Sequence, residues 1–167
     1  MKPLHKTLLF LAAASCFTGC ETARPHGGKT AILINLREQR AVLVQGGERI
    51  AETSISTGRE GHATPVGNFR VIRKDIDHRS SLYGDYVDSR GSIVVANVDV
   101  RKTSRPPNSF YLGASMPYFL EFSPGFGLHE GHRPGYPASH GCVRLSSSSA
   151  RQFYNAAKIG TAVTIRN

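Results

Sequence analysis

Apolar and polar positions alternate in short runs along most of the chain, the signature of strands rather than helices. Ala31-Ile32-Leu33-Ile34-Asn35-Leu36 and Ala41-Val42-Leu43-Val44 flank the polar Arg37-Glu38-Gln39-Arg40 and predict a hairpin. Gly46-Gly47 marks the next turn. Residues 50–57 read as a third strand, residues 66–72 as a fourth after the Thr64-Pro65 break, and the β-branched residues 92–98 as another. Residues 75–90 are polar and read as a long loop; residues 101–108, with Pro106-Pro107, read as a second. Residues 118–122 and 127–129 form short strands in this reading. One helix is predicted: residues 146–149 offer serine caps, and Ala150, Phe153, Tyr154 and Ala157 share one face. Lys158 then falls near its end and Gly160 serves as the stop. Residues 161–165 make a last strand.

The first 20 residues carry a different signal. Lys2 and Lys6 precede an apolar run over residues 8–14, shorter than the roughly 20 residues that cross a bilayer. Small residues and Cys20 follow, the layout of a secretory signal peptide. Phe17-Thr18-Gly19-Cys20 resembles a bacterial lipobox, which implies cleavage before Cys20 and a lipid anchor on it, in preference to Cys16. An ordinary cleaved signal and a short membrane anchor are the alternatives. The expected division is a signal over 1–19, a linker over 20–29 with Pro25, Gly27 and Gly28, and one domain over 30–167. Glu21 in place of Asp after the lipobox Cys favours the outer membrane of a Gram-negative host, facing the periplasm.

Composition supports one globular domain: 167 residues, 40% hydrophobic and 20% charged. Cleavage removes 19 of those residues with Lys2 and Lys6, so a formal charge of +9 falls to +7. Export makes nucleic acid an unsuitable partner and turns the basic surplus toward an anionic cell-wall polymer. Arg59, Arg70 and Arg73 read as solvated positions rather than ligands. Of three cysteines, Cys16 leaves with the signal and Cys20 takes the anchor, so Cys142 is left as the single thiol. An unpaired thiol in an oxidising compartment is either buried and inert or kept for chemistry.

The chemistry concentrates between His129 and Arg144. His129, His132, His140 and Cys142 fall within 14 residues, and the Gly- and Pro-rich residues 130–138 between them can bring the ends together. A histidine beside a cysteine activates the thiol, and a nearby imidazolium lowers its pKa. Gly141 lets a carbonyl approach the backbone N–H groups around Cys142 as an oxyanion hole. Two plainer readings compete. One is a zinc site from His129, His132, His140 and Cys142, whose spacing fits no standard pattern. The other is a buried structural cysteine among surface histidines. No cofactor or metal is called for.

Ser139-His140-Gly141-Cys142-Val143-Arg144, with His129 upstream, resembles the signature of the YkuD-type L,D-transpeptidase family. Ser56-Thr57-Gly58 followed by Ala63-Thr64-Pro65-Val66-Gly67-Asn68-Phe69 is similar to a second family segment. The likeness runs over about residues 30–167. It implies two packed mixed β-sheets with little helix, and a transpeptidase acting on peptidoglycan stem peptides. Cys142 would attack the tetrapeptide carbonyl, release D-Ala and pass the acyl group to an amine, as a 3→3 cross-link or a protein attachment. His129 would be the base, with His132 as the substitute, and Glu130 occupies the place beside it. Ser139, His140 and Gly141 would shape the pocket and oxyanion hole, and Arg144 would hold a substrate carboxylate. Tyr118, with Phe119 and Phe122, reads as core before substrate shelf, and is kept as a pocket candidate. Carbapenem β-lactams would be inhibitors. Hydrolysis by the same thioester, and a non-catalytic wall-binding lipoprotein, are the alternatives. The loop between His129 and Ser139 is shorter than many family members have.

Overall fold

The structure, a computed structural model, describes residues 28–167; the signal, Cys16, Cys20 and nearly all of the linker lie outside the described residues. Among the described residues ten strands form two five-stranded mixed sheets, and one helix lies near the C-terminus. The mainly β, two-sheet architecture expected from the sequence is the one observed.

The first sheet has the order β3-β2-β1-β10-β4. β1 (Thr30–Asn35) and β2 (Arg40–Gln45) form the predicted hairpin, in which Asn35 Oδ1 accepts from the Glu38 N–H at 2.9 Å. β3 (Glu48–Ser54) pairs with β2, and β10 (Ala162–Arg166) runs parallel to β1. β4 (Gly67–Arg70) closes the far edge against β10.

The second sheet has the order β6-β5-β7-β8-β9. Here the sequence reading needs correction. Residues 75–90 are not a loop: β5 runs from Arg73 to Val87 and pairs with β7 (Phe110–Ser123), of which the predicted strand at 118–122 is only the end. β5 hides from a periodicity search because most of its residues are polar and partly or fully exposed, and only Tyr86 and Val87 at its end are buried. β6 (Ile93–Asp99) pairs with β5 and leaves an open edge. β8 (Phe126–Glu130) pairs with β7, and β9 (Val143–Leu145) lies parallel to β8.

The two sheets meet over one core. Ile32, Ile34, Leu43, Val163 and Ile165 come from the first sheet, Leu120, Phe122, Leu128, Val143 and Leu145 from the second. Helix α1 (Ser147–Ala156) packs on β7 and β8 and drives Ala150 and Phe153 into this cluster. Its N-cap is Ser146, whose Oγ accepts from the Ser149 N–H at 3.2 Å. Its C-terminus is not ended by Lys158 or Gly160. The ammonium of Lys74 on β5 donates to Tyr154 O and Ala157 O, both at 2.6 Å, and so satisfies two terminal carbonyls from another element. Gly160 (φ 89°) turns the chain toward β10 instead.

Candidate active site

Parallel pairing of β8 and β9 brings the chemistry together. The ladder sets Leu128 opposite Val143 and His129 opposite Arg144. One step back along it, Cys142 is level with Gly127. Opposed residues share a face and a strand repeats every two residues, so Cys142 and His129 emerge on the same side of the sheet. Both line one cavity of about 440 Å³, with Arg144, His140, Ser139 and His132. The opposite wall comes from β5, where the ladder to β7 breaks between Arg79 and Gly84. Residues 80–83 bulge out of the sheet there, held by the Ser80 hydroxyl, which accepts from the N–H of Leu82 (3.2 Å) and of Tyr83 (3.0 Å).

The segment 139–142 is folded by its own first residue. Ser139 Oγ donates to Cys142 O at 2.5 Å and accepts from the Gly141 N–H at 3.0 Å. Gly141 has φ 120°, and a Cβ there would come within 2.6 Å of the Phe126 ring, so only glycine fits. Residues 56–64 then clamp this turn from the first sheet's side. Ser56 and Arg144 exchange backbone hydrogen bonds (3.1 and 2.9 Å), Thr57 O accepts from Ala138 and Ser139, and the Arg59 N–H donates to Ser139 O. The buried Thr64 hydroxyl accepts from the Gly58 N–H at 2.9 Å and donates to Gly141 O at 2.7 Å. The second sequence segment is thus the support of the first, a role that its residues alone did not reveal.

His129 is buried, 6% exposed. Its Nδ1 lies 2.6 Å from Glu130 O, and a carbonyl can only accept, so Nδ1 carries the proton and Nε2 holds the free lone pair. The neighbour that orients the base is therefore the Glu130 backbone; its side chain faces a different groove. Burial, with smaller contributions from Arg144 and His78, lowers the His129 pKa to about 4, against the pull of the Glu130 carbonyl. At neutral pH the ring is uncharged, the state in which a histidine can accept a proton. Burial also pushes the Cys142 thiol up, although the Gly127 N–H points at the sulfur and Arg144 opposes the shift. The thiol donates to Gly125 O at 3.7 Å, a weak contact. The resting pair is neutral thiol and neutral imidazole.

His140 does a different job. Arg59 Nη2 donates to its Nε2 at 2.7 Å, the Tyr83 ring stacks on it at 4.0 Å, and His62 meets it edge-on at 4.8 Å. Burial, Arg59 and His62 lower its pKa to about 4. Arg101 donates to the Tyr83 hydroxyl (2.8 Å) and pairs with Asp99, so the stack runs on into the β6 arm. Arg59 is therefore a support of the motif and not the solvated side chain expected; Arg73 is exposed as expected but also lines the cavity and pairs with Glu121, and Arg70 remains at the surface. Arg144 lines the cavity, and no carboxylate among the described residues pairs with it. Tyr118 does not line this cavity: at φ 57° it turns its ring onto Tyr154 of α1. His132, the substitute base, is exposed and sits at the rim. Among the described residues no group of three or more His, Cys, Asp and Glu can hold a metal.

A second, open groove of about 590 Å³ is lined by Glu130, Arg133, Pro117, Ser146 and Ser147. It shares Ser115, Gly131 and His132 with the first cavity, so the two meet beside His129.

A partly buried cysteine and a buried histidine thus face one cavity in a two-sheet β fold. The chain belongs to the YkuD family: the model of the L,D-transpeptidase catalytic domain matches residues 29–165. It is 34% identical over 114 residues to Probable L,D-transpeptidase 3 of Mycobacterium tuberculosis, covering 66% of this chain and 37% of that protein. The chain thus spans little more than a third of that relative's length. Among solved structures, an L,D-transpeptidase from Stackebrandtia nassauensis superposes with TM-score 0.60 at 25% identity, over 92% of this chain and 61% of that one. An L,D-transpeptidase from Mycobacterium smegmatis (TM-score 0.62, 18% identity, 84% and 60% covered) shares the fold. So does LdtMt1, solved in complex with imipenem (TM-score 0.62, 18% identity, 84% and 60% covered).

Proposed function

We propose that this protein is an exported L,D-transpeptidase of peptidoglycan, held at a membrane surface through Cys20, with Cys142 as nucleophile and His129 as base. The observation that carries the reading is the shared cavity of Cys142 and a histidine whose one proton is fixed on Glu130 O, leaving Nε2 free. Because both groups rest neutral, the thiol proton passes to Nε2 as sulfur attacks the tetrapeptide carbonyl. The carbon–nitrogen bond to D-Ala breaks, and His129 returns the proton to the departing amine. An acceptor amine then attacks the thioester carbonyl. It loses a proton to Nε2, the carbon–sulfur bond breaks, and the proton goes back to sulfur.

Gly141 spends its N–H on Ser139, so the N–H of Cys142 itself is the oxyanion donor that the turn leaves. Arg144, with no carboxylate partner among the described residues, receives a substrate carboxylate. The two confluent cavities supply one approach for the donor and another for the acceptor, which favours transfer over hydrolysis. By the same chemistry a carbapenem acylates Cys142. The expected location is the periplasmic face of the outer membrane.

The test is incubation with tetrapeptide muropeptides followed by mass spectrometry. Free D-Ala and 3→3 dimers are expected, and Cys142→Ser lowers turnover by about a thousandfold or more while the fold persists. Tripeptide monomers without dimers would make the protein a hydrolase. Unchanged substrate together with a Cys142 left unmodified by carbapenem would make it a non-catalytic wall-binding protein.

A further inference from the structure

One carboxylate near the nucleophile has no part in the proposed reaction. Glu121 on β7 lines the main cavity, its side chain 13% exposed. One of its oxygens, Oε2, accepts from Arg73 Nε at 2.7 Å. The other, Oε1, accepts from the Gly125 N–H at 2.9 Å. Gly125 sits in the turn from β7 to β8 at φ 79°, and its carbonyl is the acceptor for the Cys142 thiol, 3.7 Å away. A chain of contacts therefore runs from Arg73 through Glu121 to the Gly125 N–H, and from the carbonyl of the same residue to the sulfur.

We propose that Glu121 is a positioning residue whose carboxylate, anchored on the Gly125 N–H and partly offset by Arg73, keeps the proton on Cys142 until substrate displaces the thiol–Gly125 contact. A thiol held protonated is a poor nucleophile toward oxidants and stray electrophiles. An exported protein with its reactive sulfur open to a cavity gains protection from that. Substrate entering the cavity takes the place of the thiol–carbonyl contact and leaves His129 Nε2 as the stronger acceptor.

The charged and titratable groups around the sulfur come from every neighbouring element. They are His129 on β8, Arg144 on β9, Glu121 on β7, Arg73 and His78 on β5, and His140 and His132 on the loop before β9. Of these, Glu121 disfavours the thiolate and Arg144 favours it. Arg73 acts through Glu121, whose charge it offsets. Glu121 and Arg73 therefore have opposite signs at the sulfur, whereas mere loosening of the turn has one sign.

The proposal rests on Cys142 being the reactive thiol, but its test reads the thiol directly and needs no turnover. The full chain is labelled with iodoacetamide across a pH series, with modification of Cys142 followed by peptide mass spectrometry. In Glu121→Gln, which keeps an oxygen for the Gly125 N–H, labelling at neutral pH rises about three- to tenfold and its midpoint moves down. In Arg73→Gln labelling slows and the midpoint moves up, and Glu121→Asp stays close to the parent. Unchanged or slower labelling in Glu121→Gln, or both variants moving in one direction, overturns the proposal. If Glu121→Gln does not fold, Arg73→Gln decides alone, and faster labelling there overturns it. Loss of all muropeptide turnover with these opposed shifts intact would remove the transpeptidase reading and leave the role of Glu121 standing.

Discussion

The two ends of the second sheet are built on opposite plans. At the β8–β9 end, the turn before Cys142 is enclosed by backbone hydrogen bonds from residues 56–59 and by the Thr64 hydroxyl, and Ser56, Thr57, Thr64 and Ser139 are all buried. At the β5–β6 end, Ile93 (61%) and Phe110 (58%) stand open, the ladder breaks at residues 80–83, and β6 has a free edge. The first arrangement holds the proposed nucleophile rigidly, as bond formation requires. The second covers a cavity with few buried contacts, as suits a wall that substrate must pass. The contact between the plans is narrow: the Tyr83 ring on His140, with Arg101 behind it.

The largest test of this contrast is Thr64→Val. It leaves the Gly58 N–H and the Gly141 carbonyl without their shared partner, at a cost of about 3 kcal/mol in chemical denaturation. Cys142 acylation should fall with it, and Thr64→Ser should recover most of both. Retained acylation in a destabilised Thr64→Val would show that the clamp serves the fold and not the site.

Acid supplies the next test. The His129 pKa is about 4 in the folded protein against 6.5 in the unfolded chain, so between those values the unfolded state binds more protons. Stability is then full above pH 6.5 and is lost as pH falls toward 4, by about 3 kcal/mol for this group. The acid limb of carbapenem acylation, which reports the free base, should lie near 4 rather than 6.5. Hydrogen exchange should show the loss at residues 139–144 before the β5–β6 arm. An arm that opens first would reverse the comparison.

The smallest effect is expected from Tyr83→Ala. Stability should change by less than about 1 kcal/mol, because the ring is half-buried at the edge of the arm. The substrate KM should rise while the rate of acylation at saturation changes little. A large loss of stability would mean that arm and clamp form one unit.

Several elements were legible in the sequence because local rules govern them. The β1–β2 hairpin, the serine-capped helix with Phe153 inward, and the last strand all follow from short-range pattern and turn chemistry. The segment 129–144 stood out by its density of histidine and its one thiol. What escaped is what long-range contact decides. β5 is a polar strand because β7 pairs it and a cavity faces it. Lys74 caps a helix about 80 residues away. The partners of Arg59 and Arg73, His140 and Glu121, lie 81 and 48 positions away along the chain. Tyr118, plausible at a pocket by its place in the chain, turns away through a positive φ.

By itself, the sequence determined the candidate residue types and their order: Cys142, a histidine 13 positions before it, and a glycine directly ahead of it. Only the tertiary structure decided their protonation. Burial lowers His129 and raises Cys142, the Glu130 carbonyl chooses which nitrogen is free, and the Gly125 carbonyl accepts the thiol's hydrogen bond. A pKa depends on solvent exclusion and on charges brought together by folding, and neither is written in any one stretch of the chain.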